Sequence, residues 1–337
     1  MNWARGADNV CIMALSSSVV LCTYNGARYL ASLWESLLAQ SRVPDEIVVR
    51  DDASTDGTPS LIEDLGEMAE ARGIRVRFFR GEKNIGYIAN FEAALRAASG
   101  DVLFLSDQDD VWHARKLATQ LAEFERRCGL LLLCGDARRV DASGVDLQRS
   151  LFEVLRVTKV ELDKIHGGGG FGVLLRRSLA TGATVALRRS LVDEALPVPE
   201  GWIHDEWLAI VAAALDGFDC IESPLIDYRQ HGGNQIGMPE RSLLEKCKDM
   251  LNPRAEVIDA LARRDEVLLA RLDRANGLKP AHRLLAAQKL EHLRVRQGMR
   301  GMPWSRAGKA WKETLNGRYR LYSSGWRSAL RDLVRHR

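Results

Sequence analysis

The stretch Ser106-Asp107-Gln108-Asp109-Asp110-Val111-Trp112 (SDQDDVW) follows directly on the apolar run Val102–Leu105. Three carboxylates within four residues, placed at the end of a buried strand, repel one another and lose hydration. A divalent cation among them relieves both costs. Hard oxygen ligands select Mg²⁺ or Mn²⁺, and Mg²⁺ is usually held by one or two carboxylates together with substrate phosphates. The segment therefore points to a strand-end site that handles a phosphorylated ligand. A helix N-cap cluster explains one such Asp but not three.

Outward from this segment, strand and helix signals alternate. Ser18–Cys22 is β-rich, and Leu30, Leu33, Trp34, Leu37 and Leu38 then recur with helical spacing. Ile47–Val49 reads as a strand and Thr58–Ala71 as a helix, with Pro59 suited to its first turn. Val76–Phe79 is a strand, and Ile88, Phe91, Leu95 and Ala98 mark one face of a helix. After Val102–Leu105, Ala114, Leu117, Leu121 and Phe124 give another helix and Leu130–Cys134 another strand. This alternation predicts right-handed βαβ units and an α/β, Rossmann-like, mostly parallel sheet flanked by helices. Ligands of such sheets bind beyond the carboxyl ends of the strands. Thr23-Tyr24-Asn25, Asp51-Asp52 and Asp107–Asp110 each follow a strand and are expected to meet along that edge.

Composition sets the outer limits. The chain has 337 residues and a net charge of +3, with the charge unevenly spread. Residues 241–337 carry 23 Lys and Arg against 10 Asp and Glu, whereas residues 1–240 carry 25 against 35. That contrast predicts a separate, basic, helical C-terminal region over 241–337, with apolar repeats at Leu243, Leu244, Cys247, Leu251 and then Leu261, Leu268 and Leu272. The expected layout is an N-terminal extension over 1–16, a main α/β domain over 17–240 (divided at 135/136), and this C-terminal region.

No apolar run approaches the ~18 residues of a membrane span. The patch Val10–Leu15 is too short for a signal peptide. The six cysteines form no CxxC pair and read as buried free thiols in a reducing compartment. Gly167–Gly170 reads as a flexible loop, or as a lid on the acceptor side; it lacks the Lys-Ser/Thr of a phosphate loop.

Four segments then occur in order: Val19–Asn25 (VVLCTYN), Val48–Thr58 (VVRDDASTDGT), Lys83–Asn90 (KNIGYIAN) and Ser106–Trp112 (SDQDDVW). Over roughly residues 17–240 the chain resembles glycosyltransferase family 2, the inverting enzymes of the GT-A fold. SDQDDVW and Tyr228–Gly237 (YRQHGGNQIG) are similar to its bacterial rhamnosyltransferase-like branch. Departures are Arg50, where an apolar residue is usual, and Ala53 in place of a common Gly.

The resemblance implies a role for each matching position. Asp52 would contact the base, with Asp51 beside it; a carboxylate accepts from the N3–H of uracil or thymine. Turn and helix-cap chemistry is the plainer reading of the same Asp-rich loop. Thr23, Tyr24 and Asn25 would line base and ribose, and Asn84 and Gly86 would add nucleotide-side contacts. Asp107 and Asp109 match the DxD pattern that Asp110 extends. Asp107 would hold a ribose or sugar hydroxyl, Asp109 or Asp110 the metal, and His231 the metal or diphosphate. Arg229 would neutralise diphosphate. In Trp202-Ile203-His204-Asp205-Glu206-Trp207, Asp205 is the matching general base and Glu206 its substitute. Thr181 and Gly182 would lie on the acceptor side.

The implied activity is metal-dependent, inverting transfer of a sugar from a dTDP- or UDP-sugar to a growing surface polysaccharide or lipid-linked glycan. A nucleotidyltransferase is a weaker match, because Thr23–Arg28 lacks a Gly-rich basic phosphate loop; a non-catalytic nucleotide-binding partner is the remaining alternative. In the tail, Trp304, Trp311 and Trp326 interleave with Arg306, Lys309, Lys312, Arg318, Arg320 and Arg327. Such a mixture suits the surface of an anionic membrane, and no nucleic-acid reader motif accompanies it. The expected location is cytoplasmic, peripheral on the inner membrane face.

Overall fold

A computed structural model describes residues 14–232, 255–274, 278–299 and 303–334. The expected N-terminal extension up to residue 13, the boundary at 240/241, the repeat Leu243–Leu251 and residues 233–237 of the late motif lie outside the described residues.

Strand β1 (Ser17–Thr23) is buried along its whole length, as expected of a parallel strand covered on both faces. Helix α1 (Ala27–Leu38) follows and buries Leu30, Leu33, Trp34, Leu37 and Leu38. Strand β2 (Glu46–Asp51), helix α2 (Thr58–Glu70), strand β3 (Arg75–Arg80), helix α3 (Tyr87–Ala97) and strand β4 (Val102–Ser106) continue the alternation. Pro59 lies at the start of α2, where its missing N–H costs no helical bond. These four strands pair in parallel in the order β3-β2-β1-β4. Thr23 aligns with Asp51, and Leu21 with Ser106, so the three polar clusters leave the sheet at one edge.

The second half of the sheet is mixed rather than parallel. Strand β5 (Val111–Trp112) is part of the acidic segment itself. Helix α4 (Lys116–Arg126) and strand β6 (Leu132–Val140) follow, then β7 (Asp146–Ser150). Strand β8 (Ala186–Arg188) inserts antiparallel between β4 and β6, so β6 does not pair with β4. Strand β9 (Phe218–Arg229) runs parallel to β6 and antiparallel to β5. The long core beneath includes Val19, Leu21, Trp34, Phe104, Trp112, Phe124 and Ile226. Fully burying one such side chain contributes roughly 1.5–3 kcal/mol.

Short helices α5 (Leu151–Leu155) and α6 (Lys159–Lys164) each open on a capping box, with Ser150 and Thr158 as caps. The glycine run is not the loop expected from its composition. Ile165–Gly169 forms a wide helical turn that continues into α7 (Gly170–Arg176). Gly168 adopts φ 81°, which permits the kink. His166 in that turn bonds Asp219 and Glu222 of β9. Helices α8 (Arg189–Ala195) and α9 (His204–Ala214) complete this part.

The chain divides into two compact units. One holds the sheet and comprises residues up to Gly170, Leu179–Val198 and those from Ile203 to the end of β9 and just beyond. The other comprises Phe171–Ser178, Pro199–Trp202 and the C-terminal helices. Those helices are α10 (Ala255–Leu272), α11 (Pro280–Gln297), α12 (Pro303–Leu315), α13 (Arg318–Tyr322) and α14 (Trp326–Val334). Ile258, Ala262, Leu290 and Leu293 form one small core of this unit, and Met299, Ala310 and Tyr319 another. Among the described residues, no helix is long and apolar enough to cross a membrane.

Cys22, Cys134 and Cys220 are buried free thiols. Cys128 departs from the expectation of free thiols, because it is disulfide-bonded.

Candidate active site

Two loops at the carboxyl edge lock each other. Asp51 has no exposure, and its carboxylate accepts from Thr23 Oγ1 (2.8 Å), Ser54 N (2.8 Å) and Ser54 Oγ (2.5 Å). The Asp51 carboxylate thus orders the loop. Thr23 is likewise buried and its hydroxyl is used by Asp51. Asn25 donates its N–H to Ser54 Oγ (2.8 Å) and accepts from Thr55 N at Oδ1 (2.9 Å). Asn25 and Ala53 both take positive φ, 51° and 61°. At Ala53 this is the left-handed backbone that favours glycine. Tyr24 and Asn25 remain exposed at the edge.

Asp52 is 3% exposed and accepts from Ile85 N (2.8 Å) and Gly86 N (2.9 Å). Asn84 Oδ1 accepts from the same Gly86 N–H (3.1 Å), and Gly86 sits at φ 83°. The structure thus brings Asp52, Asn84 and Gly86 together as one folded unit. Gln108, not singled out from the sequence, ties this edge to the acidic loop. Its Oε1 accepts from Tyr24 N (2.8 Å) and its Nε2 donates to Tyr24 O (3.1 Å). A side chain on Gly26 would meet Gln108 Oε1 at 2.1 Å, so it would push the Gln108 amide off its bonds to Tyr24.

The acidic loop is organised by β9. Val111 pairs with Asp227, and antiparallel continuation sets Arg229 beside Asp109. Arg229 donates its backbone N–H to Asp110 Oδ1 (2.9 Å) and its Nε–H to Asp109 O (2.8 Å). His231 Nε2 lies 2.7 Å from Asp109 Oδ2 and its ring stacks on Tyr29, centroids 4.9 Å apart. Arg229 also lies over Tyr29, 4.9 Å from its centroid. Arg229 thus holds the loop. Asp110 has no exposure, and its second oxygen is buried without a partner.

Charge in this loop is unbalanced. Burial, with Asp109 and Asp205 nearby, pushes the Asp107 carboxyl up to about 7. Burial and the same crowding by Asp109 and Asp107 push Asp110 well up. Behind them sits Lys116, fully buried, its ammonium 3.7 Å from the Trp112 ring centroid and without a hydrogen-bond partner. Burial pushes it down to about 7, against the pull of Asp110 and Asp107. Tyr228, quoted from the sequence only within a motif, has its phenol raised by burial and by Asp107, Asp110, Asp109 and Asp205. An orphaned buried carboxylate oxygen among crowded acids, with one imidazole at hand, has the chemistry of a hard-cation site, but among the described residues these groups do not bring three ligand atoms within 4.8 Å of one another.

Asp205 opens α9. Its Oδ1 accepts from Glu206 N (2.7 Å) and its Oδ2 from Gly182 N (2.8 Å). Burial nonetheless pushes its pKa up to about 6. Gly182 begins a short 3₁₀ turn to Thr184, whose N–H returns to Thr181 O. Thr181, Gly182 and Asp205 are therefore one neighbourhood. His204 beside them is buried and stacked on Phe91 at 4.2 Å, with neither ring nitrogen bonded. Burial pushes it down to about 3, so it is neutral at physiological pH. Glu206 is half-buried and, with Asp205, raises the Tyr87 phenol, after burial itself.

A further set of potential ligands, His166, Asp219 and Cys220, clusters within 4.8 Å elsewhere. Asp219 is already engaged by Arg127 Nη1 (2.5 Å), His166 Nδ1 (2.7 Å) and Cys220 N (2.8 Å). The Cys220 thiol is pushed up to about 12 by burial and Asp219, which disfavours the thiolate a metal needs. This cluster reads as a structural clasp.

Residues 18–182 match the family model described as "Glycosyl transferase family 2". An uncharacterised glycosyltransferase of Nostoc sp. is 29% identical over 229 residues, covering 64% of this chain and 65% of that protein. The chain thus spans just under two thirds of that relative's length. The succinoglycan biosynthesis protein ExoO of Rhizobium meliloti is 27% identical over 281 residues, covering 82% of this chain and 72% of that protein. Among solved structures, residues 1–349 of TarS from S. aureus in complex with UDP-GlcNAc superpose with a TM-score of 0.56. The identity there is 19%, over 81% of this chain and 71% of that one; the likeness is one of fold, the GT-A arrangement.

Proposed function

The chain belongs to glycosyl transferase family 2, and we propose that it transfers a sugar, with inversion, from a nucleoside diphosphate donor to a growing bacterial surface glycan. The observation that carries this reading is the convergence of the Thr23–Asn25, Asp51–Asp52 and Asp107–Asp110 segments at one carboxyl edge of the sheet, with Arg229 and His231 bonded to Asp110 and Asp109. A base and a diphosphate-handling cluster on one face are what a direct displacement requires.

Asp205 takes the proton of the acceptor hydroxyl as its oxygen forms a bond to the anomeric carbon. The bond from that carbon to the diphosphate oxygen breaks, and its electron pair leaves with the diphosphate. Attack from the face opposite the leaving group inverts the centre. A base in this position contributes about 10²–10⁴-fold. The N–H groups of Gly182 and Glu206 fix the carboxylate, and burial holds its pKa near neutrality, where a base both stays ionised and accepts a proton readily. Glu206 is the substitute base. Asp109 and Asp110, with His231, would hold Mg²⁺ or Mn²⁺, and such an ion supplies charge neutralisation for the departing diphosphate. Asp107 would hold a ribose or sugar hydroxyl.

On the nucleotide side, Tyr24 and Asn25 offer the open surface for base and ribose, and Asp52 with Asn84 and Gly86 forms the wall of that pocket. The donor proposed is dTDP-rhamnose or a UDP-sugar. The Thr23–Arg28 loop does not support triphosphate chemistry, because it lacks the Gly-rich, basic phosphate loop that such chemistry uses.

A panel of nucleotide sugars, tested for metal-dependent thermal stabilisation and then for transfer, decides the reading. One donor should raise the melting temperature by mass action, roughly 2.7 kcal/mol at a hundredfold excess over Kd. No stabilisation by any nucleotide sugar in the presence of Mg²⁺ or Mn²⁺ would overturn it.

A further inference from the structure

Helix α12 is amphipathic in the wrong sense for a packed helix. Its inward stripe is Arg306 (3% exposed), Ala310 (2%) and Glu313 (2%). Its outward stripe is Trp304 (73%), Trp311 (67%) and Leu315 (69%). At about 100° per residue, positions 304, 311 and 315 fall within roughly 20° of one line, opposite the buried stripe. A surface helix ordinarily turns such a stripe to the core. Helix α14 repeats the pattern, with Trp326 and Leu330 outward, one turn apart, and Ser328 buried. In α13, Leu321 faces out while Tyr319 and Tyr322 are buried.

The charges sort in the same way. Residues 303–334 carry seven Lys and Arg and two acids, Glu313 and Asp332. Both acids turn inward. Glu313 bonds His292 Nδ1 (2.6 Å) and Arg318 Nη1 (3.3 Å). Asp332 bonds Arg296 Nε (2.7 Å) and the Tyr319 hydroxyl (2.7 Å). Lys309, Lys312, Arg320 and Arg327 are exposed, and the Arg327 guanidinium lies 5.7 Å from the Trp326 centroid. Among the described residues of 303–334, the outward surface thus offers indole rings, leucines and cations, with no exposed carboxylate.

We propose that helices α12–α14 form an interfacial docking face for an anionic lipid bilayer. Indole rings settle at the headgroup level, where one edge is wet and the other apolar. Lys and Arg beside them meet lipid phosphates. The apolar residues stand on single helical ridges rather than in a groove. A ridge suits shallow insertion of about 5–10 Å into a deformable lipid surface. The inference does not depend on the glycosyl-transfer reading.

The test is co-sedimentation of the full-length chain with vesicles of phosphatidylcholine alone or mixed with phosphatidylglycerol. Binding is expected to the anionic vesicles only, with a blue shift of tryptophan emission, and to weaken as salt is raised. The variant K312E/R320E/R327E should lose at least about a hundredfold in partitioning, three cations at roughly 1 kcal/mol each. W304S/W311S/W326S should lose both binding and the blue shift. These side chains are exposed, so both variants should keep the wild-type circular dichroism spectrum and melting temperature. Absent or charge-indifferent vesicle binding by the folded wild type would overturn the proposal. So would lipid-free self-association that the tryptophan variant abolishes, since the occupant would then be a second copy of the chain.

Discussion

The backbone N–H of Gly182 donates to Oδ2 of Asp205 at 2.8 Å, across 23 residues of chain. This bond holds the carboxylate that is proposed to act as base, yet burial still leaves its pKa at about 6. Asp205→Asn is expected to lower kcat by about 10²–10⁴-fold while donor binding persists. In the wild type, the rate should fall tenfold per pH unit below about 6, as the base is protonated. The sign for stability is the reverse of the usual Asp case. Folding raises this pKa above the ordinary carboxylate range, so the stability it contributes is lost as pH rises through about 6. A pH–rate profile of kcat/KM checks the first expectation, and thermal melts across the same range the second.

Gly182→Ala probes the same neighbourhood by volume alone. The added methyl would lie 3.3 Å from His204 Nε2, so the imidazole next to the base must give by a few tenths of an ångström, and 3.6 Å from Asp205 Oδ2, an ordinary contact. Transfer should fall at least tenfold with a change in stability of no more than about 2 kcal/mol. Wild-type kinetics in this variant would show that the base tolerates that shift.

His231→Ala removes the imidazole 2.7 Å from Asp109 Oδ2. Divalent-ion affinity, measured by calorimetric titration, should fall about 10–100-fold. Asp109→Asn should abolish the metal-dependent part of donor-induced stabilisation. Unchanged titrations in both would remove Asp109 from the proposed metal site.

Lys116→Met keeps the apolar stem against Trp112 and removes the buried cation. Lys116 offsets Asp107 and Asp110 in the metal-free protein and opposes an incoming divalent ion. The variant should therefore gain more melting temperature from Mg²⁺ or Mn²⁺ than the wild type. The expected gain in metal affinity is about tenfold, a coupling of roughly 1.4 kcal/mol. Equal metal-induced shifts would show that the two charges are not linked.

Asp52→Ala strips the acceptors of the Ile85 and Gly86 N–H groups. Chemical denaturation should show a loss of about 1–3 kcal/mol. Nucleotide binding should weaken beyond what that loss explains, because Tyr24 and Asn25 then face an unformed wall. Undiminished nucleotide affinity would confine Asp52 to a structural role.

Much of this was legible in the residues themselves. The 3.6-residue spacing of Leu30, Leu33, Trp34, Leu37 and Leu38 fixed α1, and the βαβ alternation fixed the parallel half of the sheet. Asp51 shows the limit of such reading. Its spacing gives no sign that Ser54 and Thr23 consume both of its oxygens. Gly167–Gly170 shows another limit, because bonds from His166 to β9 turn a flexible composition into a helical turn.

Local periodicity and strand-end chemistry thus determined, from sequence alone, which segments form the parallel sheet and that acids gather at its carboxyl edge. Only the tertiary structure decided which distant groups those acids meet. His231 reaches Asp109 across 122 residues because β9 runs antiparallel to β5, and register between remote strands is written in no local pattern. Burial decided the rest. The same Asp, Lys and Trp residues change role according to whether the fold turns them toward water or away from it, as Asp205, Lys116 and Trp311 do here.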